Sequence, residues 1–184
     1  GEVARFDFVA PDGKVIVAGQ DTQVTAVAQM ARHVGFVLQN PDQQLFAETV
    51  EDEVSYGPKN LKLGKELVEQ RVTEALNLVG MEGKRKEFPP ALAKGDRAKV
   101  VIASALALDP SIIVLDEPTT GQDYRGCHQI MQIAQSLHQQ GRTVVFVTHH
   151  MALVAEYAWP RVAAHLLAVI AEEVPGFGAQ GAAA

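Results

Sequence analysis

Two aliphatic runs constrain this chain most: Ile112-Ile113-Val114-Leu115-Asp116 and Thr143-Val144-Val145-Phe146-Val147-Thr148. Runs without polar alternation fit strands buried on both faces, the habit of parallel sheets covered by helices. Between them Ile130, Ile133, Ala134 and Leu137 recur at helical spacing, which predicts a helix over residues 124 to 140, closed by Gly141. Strand, helix and strand in this order predict a right-handed βαβ unit, and so an α/β fold with a parallel sheet and flanking helices. In open parallel sheets ligands bind beyond the carboxyl ends of the strands, where Asp116, Glu117 and His149 emerge. A lone acid after an apolar run is most simply a strand stop before a turn. Two adjacent acids followed by Pro118-Thr119-Thr120-Gly121 fit that plain description less well.

The rest of the chain extends this plan. Val34 to Leu38 reads as another apolar strand, ending at Gln39, and Val24 to His33 as a short helix before it. The first twenty residues alternate β-prone runs around Pro11-Asp12-Gly13, which predicts an N-terminal antiparallel hairpin. Gln39 to Gly64 is polar and turn-rich around a short acidic helix from Val50 to Tyr56. From Lys65 to Val79 the set Leu67, Val68, Val72, Ala75, Leu76 and Val79 marks an amphipathic helix with Gly80 as its stop. A loop then leads to Arg97–Leu108, which is apolar nearly all round and reads as a buried helix. Val162 to Glu172 reads as a helix, and the Gly/Ala-rich stretch from Pro175 as unstructured.

With 47% hydrophobic residues, 184 residues can bury a core and are most simply one domain. Sixteen basic against twenty-two acidic residues give a net charge of −6, which argues against nucleic acid or anionic lipid as a partner. The single cysteine, Cys127, excludes an intrachain disulfide framework and is read as a packing residue in a reducing compartment. No apolar run reaches the roughly 18 residues of a membrane span, and the N-terminus has no signal-peptide pattern. The expectation is a soluble chain that docks on a membrane protein. Residue 1 is Gly, so the chain is expected to be a processed or partial form.

Gln39, Asp116 with Glu117, and His149 stand at three strand ends, and in this order the chain resembles the nucleotide-binding ATPase subunit of an ABC transporter. Asn40-Pro41-Asp42-Gln43-Gln44-Leu45-Phe46 and the residues to Leu61 are similar to the energy-coupling-factor and cobalt-transporter branch. The resemblance covers roughly Gly19 to Ala158. It places Gln39 at the Q-loop, Leu92-Ala93-Lys94-Gly95-Asp96 at the signature loop, Ile112 to Glu117 at Walker B, Gly121-Gln122-Asp123 at the D-loop and His149 at the switch histidine. It implies a P-loop NTPase-like domain over residues 1–158, with a helical signature subdomain at about 40–95, and a divergent tail over 159–184.

ATP and Mg²⁺ are the implied ligands. Phosphoryl transfer to water needs neutralised phosphates, a held metal and an oriented water. Asp116 would hold Mg²⁺, directly or through its waters. Glu117 would position or deprotonate the water, Gln39 would touch both metal and water, and His149 would bond the γ-phosphate. Taken singly, Gln39 is better explained by packing or strand capping, and His149 as readily by a satisfied surface histidine. The ordered combination carries the assignment. The resemblance further implies a nucleotide-sandwich dimer, with Ala93, Lys94, Gly95, Asp96 and Asp123 facing nucleotide. It also implies a transmembrane coupling subunit docked near Gln43 to Leu61 through Leu45, Phe46, Val50, Val54 and Tyr56. The place of action is then the inner face of the cell membrane, and the task uptake of cobalt or a vitamin-like micronutrient.

Two departures qualify this. The signature usually reads Leu-Ser-Gly-Gly-Gln, and here Ala93, Lys94 and Asp96 replace Ser, the first Gly and Gln. Lys94 adds positive charge at a helix start, whereas Asp96 is unfavourable beside a triphosphate unless it caps that helix. Second, the pattern GxxxxGK followed by Ser or Thr is not found. Gly13-Lys14, Gly64-Lys65 and Gly83-Lys84 precede Val15, Glu66 and Arg85, and the positions five before each Gly hold Phe8, Lys59 and Leu78. The expectation is that the first core strand and P-loop lie outside this chain, which alone would not turn over ATP. A catalytically silent binding or regulatory subunit is the alternative. A DNA-repair or structural-maintenance ATPase lacks support, with no heptad arm or basic stripe.

Overall fold

The computed structural model describes residues 15–150 together with 153, 156 and 157. The chain divides into two units, 1–148 and 149–184, and every labelled element below belongs to the first. The expected turn at Pro11-Asp12-Gly13 and helix from Val162 to Glu172 lie outside the described residues.

The described chain opens with an antiparallel ribbon, β1 (Ile16–Val17) and β2 (Gln20–Asp21). Its two-residue loop is Ala18-Gly19, both in the left-handed region at φ 50° and 75°. Two positive φ values match the twist of the flanking strands. The expected helix from Val24 to His33 shrinks to α1 (Val27–Met30). Its N-cap, Ala26, has no side chain to satisfy the free amides, so a single turn forms.

β3 (Val34–Val37) follows, then a 3-10 turn at Pro41–Gln43 and α2 (Val50–Asn60). Thr49 caps α2 by accepting from the Asp52 amide. The helix runs through Gly57-Pro58, beyond the expected end at Tyr56. Gly57 explains this: a Cβ there would sit 2.8 Å from Leu108 Cδ2, so its absence lets the helix lie against the Leu108 side chain.

α3 (Lys65–Leu78) closes at Gly80, with φ 70°, through Met81 N–H to Leu76 O and Gly80 N–H to Asn77 O. This is the paired bond that spends the orphan carbonyls of a last helical turn. Val68, Val72, Ala75, Leu76 and Val79 are buried as the spacing requires, while Leu67 lies on the exposed flank. α4 (Lys94–Leu106) starts three residues earlier than the spacing predicts, and buries Ala98, Val100 to Ala103, Ala105 and Leu106. It packs on α2, on α3 and on β3.

β4 (Ile112–Asp116), α5 (Tyr124–Gln139) and β5 (Thr143–Val147) complete the sheet, in the order β3-β4-β5, all parallel. β4 is central, and Ile112, Ile113 and Leu115 are fully buried. β5 corrects the expectation of a second fully buried strand: Thr143 to Phe146 are half-buried and Val147 is 46% exposed. Among the described residues β4 is the strand paired with it, and its other edge carries none. α5 lies on β5 and buries Cys127, Ile130, Met131, Ile133, Ala134 and Leu137.

The segment between α3 and α4 is organised by charge. The Arg85 guanidinium meets Glu51 at 3.2 Å, Glu69 at 2.7 Å and Glu82 at 2.9 Å, tying α2 and α3 to this connection. Burial opposes its charge, but these carboxylates outweigh it and raise the guanidinium pKa.

Candidate phosphoryl-transfer site

The parallel register brings three sequence features to one end of the sheet. Asp116 closes β4 opposite Val147, and the Glu117 amide continues the ladder to Val147 O at 2.9 Å. Both acids are half-buried. Glu117 has φ 48°, a left-handed backbone that costs a non-glycine residue of order 1–3 kcal/mol and that clusters at functional sites. This bend ends the regular strand at Asp116 and sets Glu117 on a separate backbone conformation. Thr120 fixes the bend: its amide donates to Glu117 O at 3.1 Å and its hydroxyl to Glu117 Oε2 at 3.3 Å.

β3 pairs Val37 with Leu115, so Gln39, two residues further, leaves the same end of the sheet as Glu117. It is exposed, on a tightly held turn. Gln44 Oε1 accepts from Leu38 N at 2.8 Å and Gln44 Nε2 donates to Phe36 O at 3.3 Å, while Asn40 caps the Pro41–Gln43 turn. His149 opens the second unit, where its ring meets that of His150 edge-on at 4.7 Å.

Ala93 to Asp96 form the entry and first turn of α4, not a loop before it. Ala93 is the N-cap and makes no side-chain bond. Asp96 does not cap the helix. It sits in the first turn, 2.8 Å from Lys84 Nζ and 3.3 Å from Lys99 Nζ. Burial works against its charge, but the two ammoniums prevail and hold the carboxyl below its ordinary value of 3.8.

A folded-state pKa below the unfolded one contributes stability that is present above the unfolded value and is lost as pH falls through the folded one. Asp96→Asn is therefore expected to lower stability at pH 7 and to flatten the part of the acid limb below pH 3.8 that Asp96 supplies, as read by urea unfolding across pH.

Lys94 has no carboxylate partner among the described residues, and its ammonium lies over Gly121, where any Cβ would collide with it. A Cβ on Gly95 would likewise come within 2.9 Å of Gln122 Oε1. Two glycines thus let the first turn of α4 rest on the turn that leaves Glu117. Asp123 caps α5, its Oδ1 accepting from Gly126 N at 2.7 Å. Cys127 donates its thiol to Thr119 O at 3.8 Å, and burial, reinforced by the Asp123 charge, pushes that thiol up. It is a packing residue, as expected.

Along β3 lies an apolar groove of about 440 Å³, lined by Val27, Met30, Phe36, Phe46, Tyr56 and Leu108 among others. Phe46 and Tyr56 are exposed and stack edge to face at 4.7 Å. The buried Glu53 carboxylate holds this lip by accepting from Phe46 N at 2.9 Å and Ala47 N at 2.8 Å. Two of the expected docking residues are corrected: Val50 and Val54 are fully buried, because they form the inward stripe of α2 against its own core. Leu45 also packs on that core, which leaves Phe46 and Tyr56 on the surface.

Among the described residues no three His, Cys, Asp or Glu side chains converge on a metal position. Mg²⁺ does not require such a cage. It keeps several waters and binds one or two carboxylates together with substrate phosphates, which the half-buried Asp116 and its neighbour suit. Arg97 and Thr120 were given no role from the sequence. Thr120 had a usable signal, a hydroxyl three residues after an acid in a Pro-led turn. The carboxylate that Arg97 pairs with, Asp42, lies far away in the chain.

The family model for the ABC transporter matches residues 7–120. An energy-coupling factor transporter ATP-binding protein, EcfA, of Methanococcus maripaludis is 44% identical over 149 residues, which are 80% of this chain and 54% of that protein. The chain spans about a quarter to just over half of the length of the curated relatives it matches. Among solved structures, CbiO1 of Clostridium perfringens, described as part of the ABC transporter complex CbiONQ, aligns with TM-score 0.71 and 30% identity over 79% of this chain and 59% of that one. A dimeric, post-hydrolysis form of the ATP-binding cassette MJ0796, bound to ADP and Pi, aligns with TM-score 0.65 and 28% identity over 79% of this chain and 66% of that one. The chain belongs to the ABC transporter family and is similar to its energy-coupling-factor ATP-binding proteins.

Proposed function

We propose that this chain carries the metal and water side of an ATP-hydrolysing subunit that drives an importer for cobalt or a vitamin-like micronutrient. The observation that carries this is the pair Asp116 and Glu117 at the carboxyl end of β4, split by the left-handed bend at Glu117 and level with Gln39. Asp116 would hold Mg²⁺, with Gln39 as a further oxygen donor. That ion, when bound, neutralises charge on the phosphates. Glu117 accepts the proton of the attacking water, and the Thr120 hydroxyl keeps one of its oxygens oriented. His149 is assigned to the γ-phosphate. Ala93 to Asp96, with Asp123, are assigned to the nucleotide of a second ATPase subunit, identical or paralogous. Lys94 supplies the cation there, since Lys84 and Lys99 are already engaged by Asp96.

The apolar groove is assigned to a transmembrane coupling subunit, with Phe46 and Tyr56 as its exposed anchors. No helix among the described residues is long and apolar enough to cross a membrane, so attachment to the inner face of the cell membrane would come through that partner. A silent regulatory subunit is the second reading, favoured by the replacements at Ala93, Lys94 and Asp96. Steady-state ATP turnover separates the two, using this chain joined at its N-terminus to a strand, loop and helix that carry GxxxxGK and Ser or Thr. An ATPase subunit turns over ATP in that form; a silent one binds it without turnover.

A further inference from the structure

We propose that Arg97 is a positioning residue that couples the turn carrying Gln39 to the first turn of α4. Its functional meaning rests on the reading above, which assigns those two segments to opposite nucleotide sites. The Arg97 Nε forms an ion pair with Asp42 Oδ1 at 2.8 Å in which the N–H is not aligned for a hydrogen bond, and Nη1 donates to Leu92 O at 2.8 Å and to Pro90 O at 3.4 Å. One planar guanidinium therefore spans three segments: the 3-10 turn after Gln39, the entry to α4 and α4 itself. The planar guanidinium loses less side-chain freedom per contact formed than a flexible ammonium would.

Both ends of the link are stiff. The Asp42 turn is capped by Asn40, seated on the buried Pro41, and held to β3 by the two Gln44 bonds. The Arg97 amide donates to Ala93 O at 3.0 Å, so the guanidinium is anchored at the residue that opens the helix. The Arg97 side chain is 21% exposed against 56% for Asp42, which limits solvent screening at the cation. On its other side the same turn of α4 is held to the Glu82–Lys84 turn by Asp96 and Lys84. A shift of the Gln39 turn therefore reaches α4 entry through Asp42 and Arg97, and the reverse path must carry the same coupling.

The test is hydrogen exchange by mass spectrometry on the 184-residue chain, comparing Asp42→Asn, Arg97→Gln and the double variant. Each single substitution is expected to speed exchange roughly two- to fivefold both in segment 38–45 and in segment 91–99, including the segment it does not touch. The double variant should exchange no faster than the faster single, because one interaction is being removed twice. Unchanged exchange in α5 shows that the fold is retained. If acceleration stays within the substituted segment, or if the singles add in the double, the coupling does not exist. No nucleotide enters this measurement, so that result would leave the ATPase assignment standing, and failure of ATP turnover would leave the coupling standing.

Discussion

Glu117→Gln, in the chain joined to a GxxxxGK segment, is expected to lower ATP turnover by roughly 10²- to 10⁴-fold, the range a positioned proton acceptor supplies. Mg-ATP affinity should be nearly unchanged, because Gln keeps the size and polarity of the side chain and leaves Asp116 in place. The split between turnover and affinity is what distinguishes a residue acting on water from one acting on the metal. Asp116→Asn should instead weaken Mg-dependent binding. Folding does not confuse the result, since the Glu117 amide bond to Val147 O and the Thr120 bond to Glu117 O are made by backbone atoms that the substitution keeps. Steady-state assay beside equilibrium nucleotide binding checks both parts. Equal turnover in the variant would remove Glu117 from the role given to it.

Ile102→Ala is expected to cost about 2–5 kcal/mol, from lost transfer energy plus the cavity left behind. Ile102 is fully buried at the middle of α4, the helix that packs on α2, α3 and β3 at once, so no single element can relax into the space. For a chain of this size the melting temperature should fall by roughly 5–15 °C. Thermal unfolding followed by circular dichroism measures it. A change of only a degree or two would mean that α4 is not the keystone described.

The parts legible in the sequence were those set by one period or one punctuation residue. β3, β4, α3 and α5 lie within a residue or two of the boundaries read from apolar spacing and from Gly80 and Gly141. The misses have tertiary causes. Gly57-Pro58 reads locally as a break, yet the glycine is there because Leu108, fifty residues on, needs the room. The start of α4 is earlier than the apolar spacing predicts because Lys94, Gly95 and Asp96 look like loop residues, while Lys84 and Lys99 hold the acid in that first turn. The resemblance marks Val50 and Val54 as docking anchors, but they face the chain's own core, and a resemblance does not say which face of a helix looks inward. Of the site, the carboxylate pair and Gln39 were visible as residues at strand ends. The bend at Glu117, its Thr120 partner and the Arg97 link arise from backbone conformation and long-range contacts that no local pattern encodes.

The proposed function rests on these 184 residues supplying the metal and water side of the site, while the pattern GxxxxGK followed by Ser or Thr is not found in them. Titration calorimetry with Mg-ATP tests it most directly, on the 184-residue chain and on the chain joined to a GxxxxGK segment. The account predicts no saturable binding at micromolar nucleotide for the first and micromolar binding for the second. Micromolar affinity in the 184-residue chain alone, or none in the joined one, would contradict it.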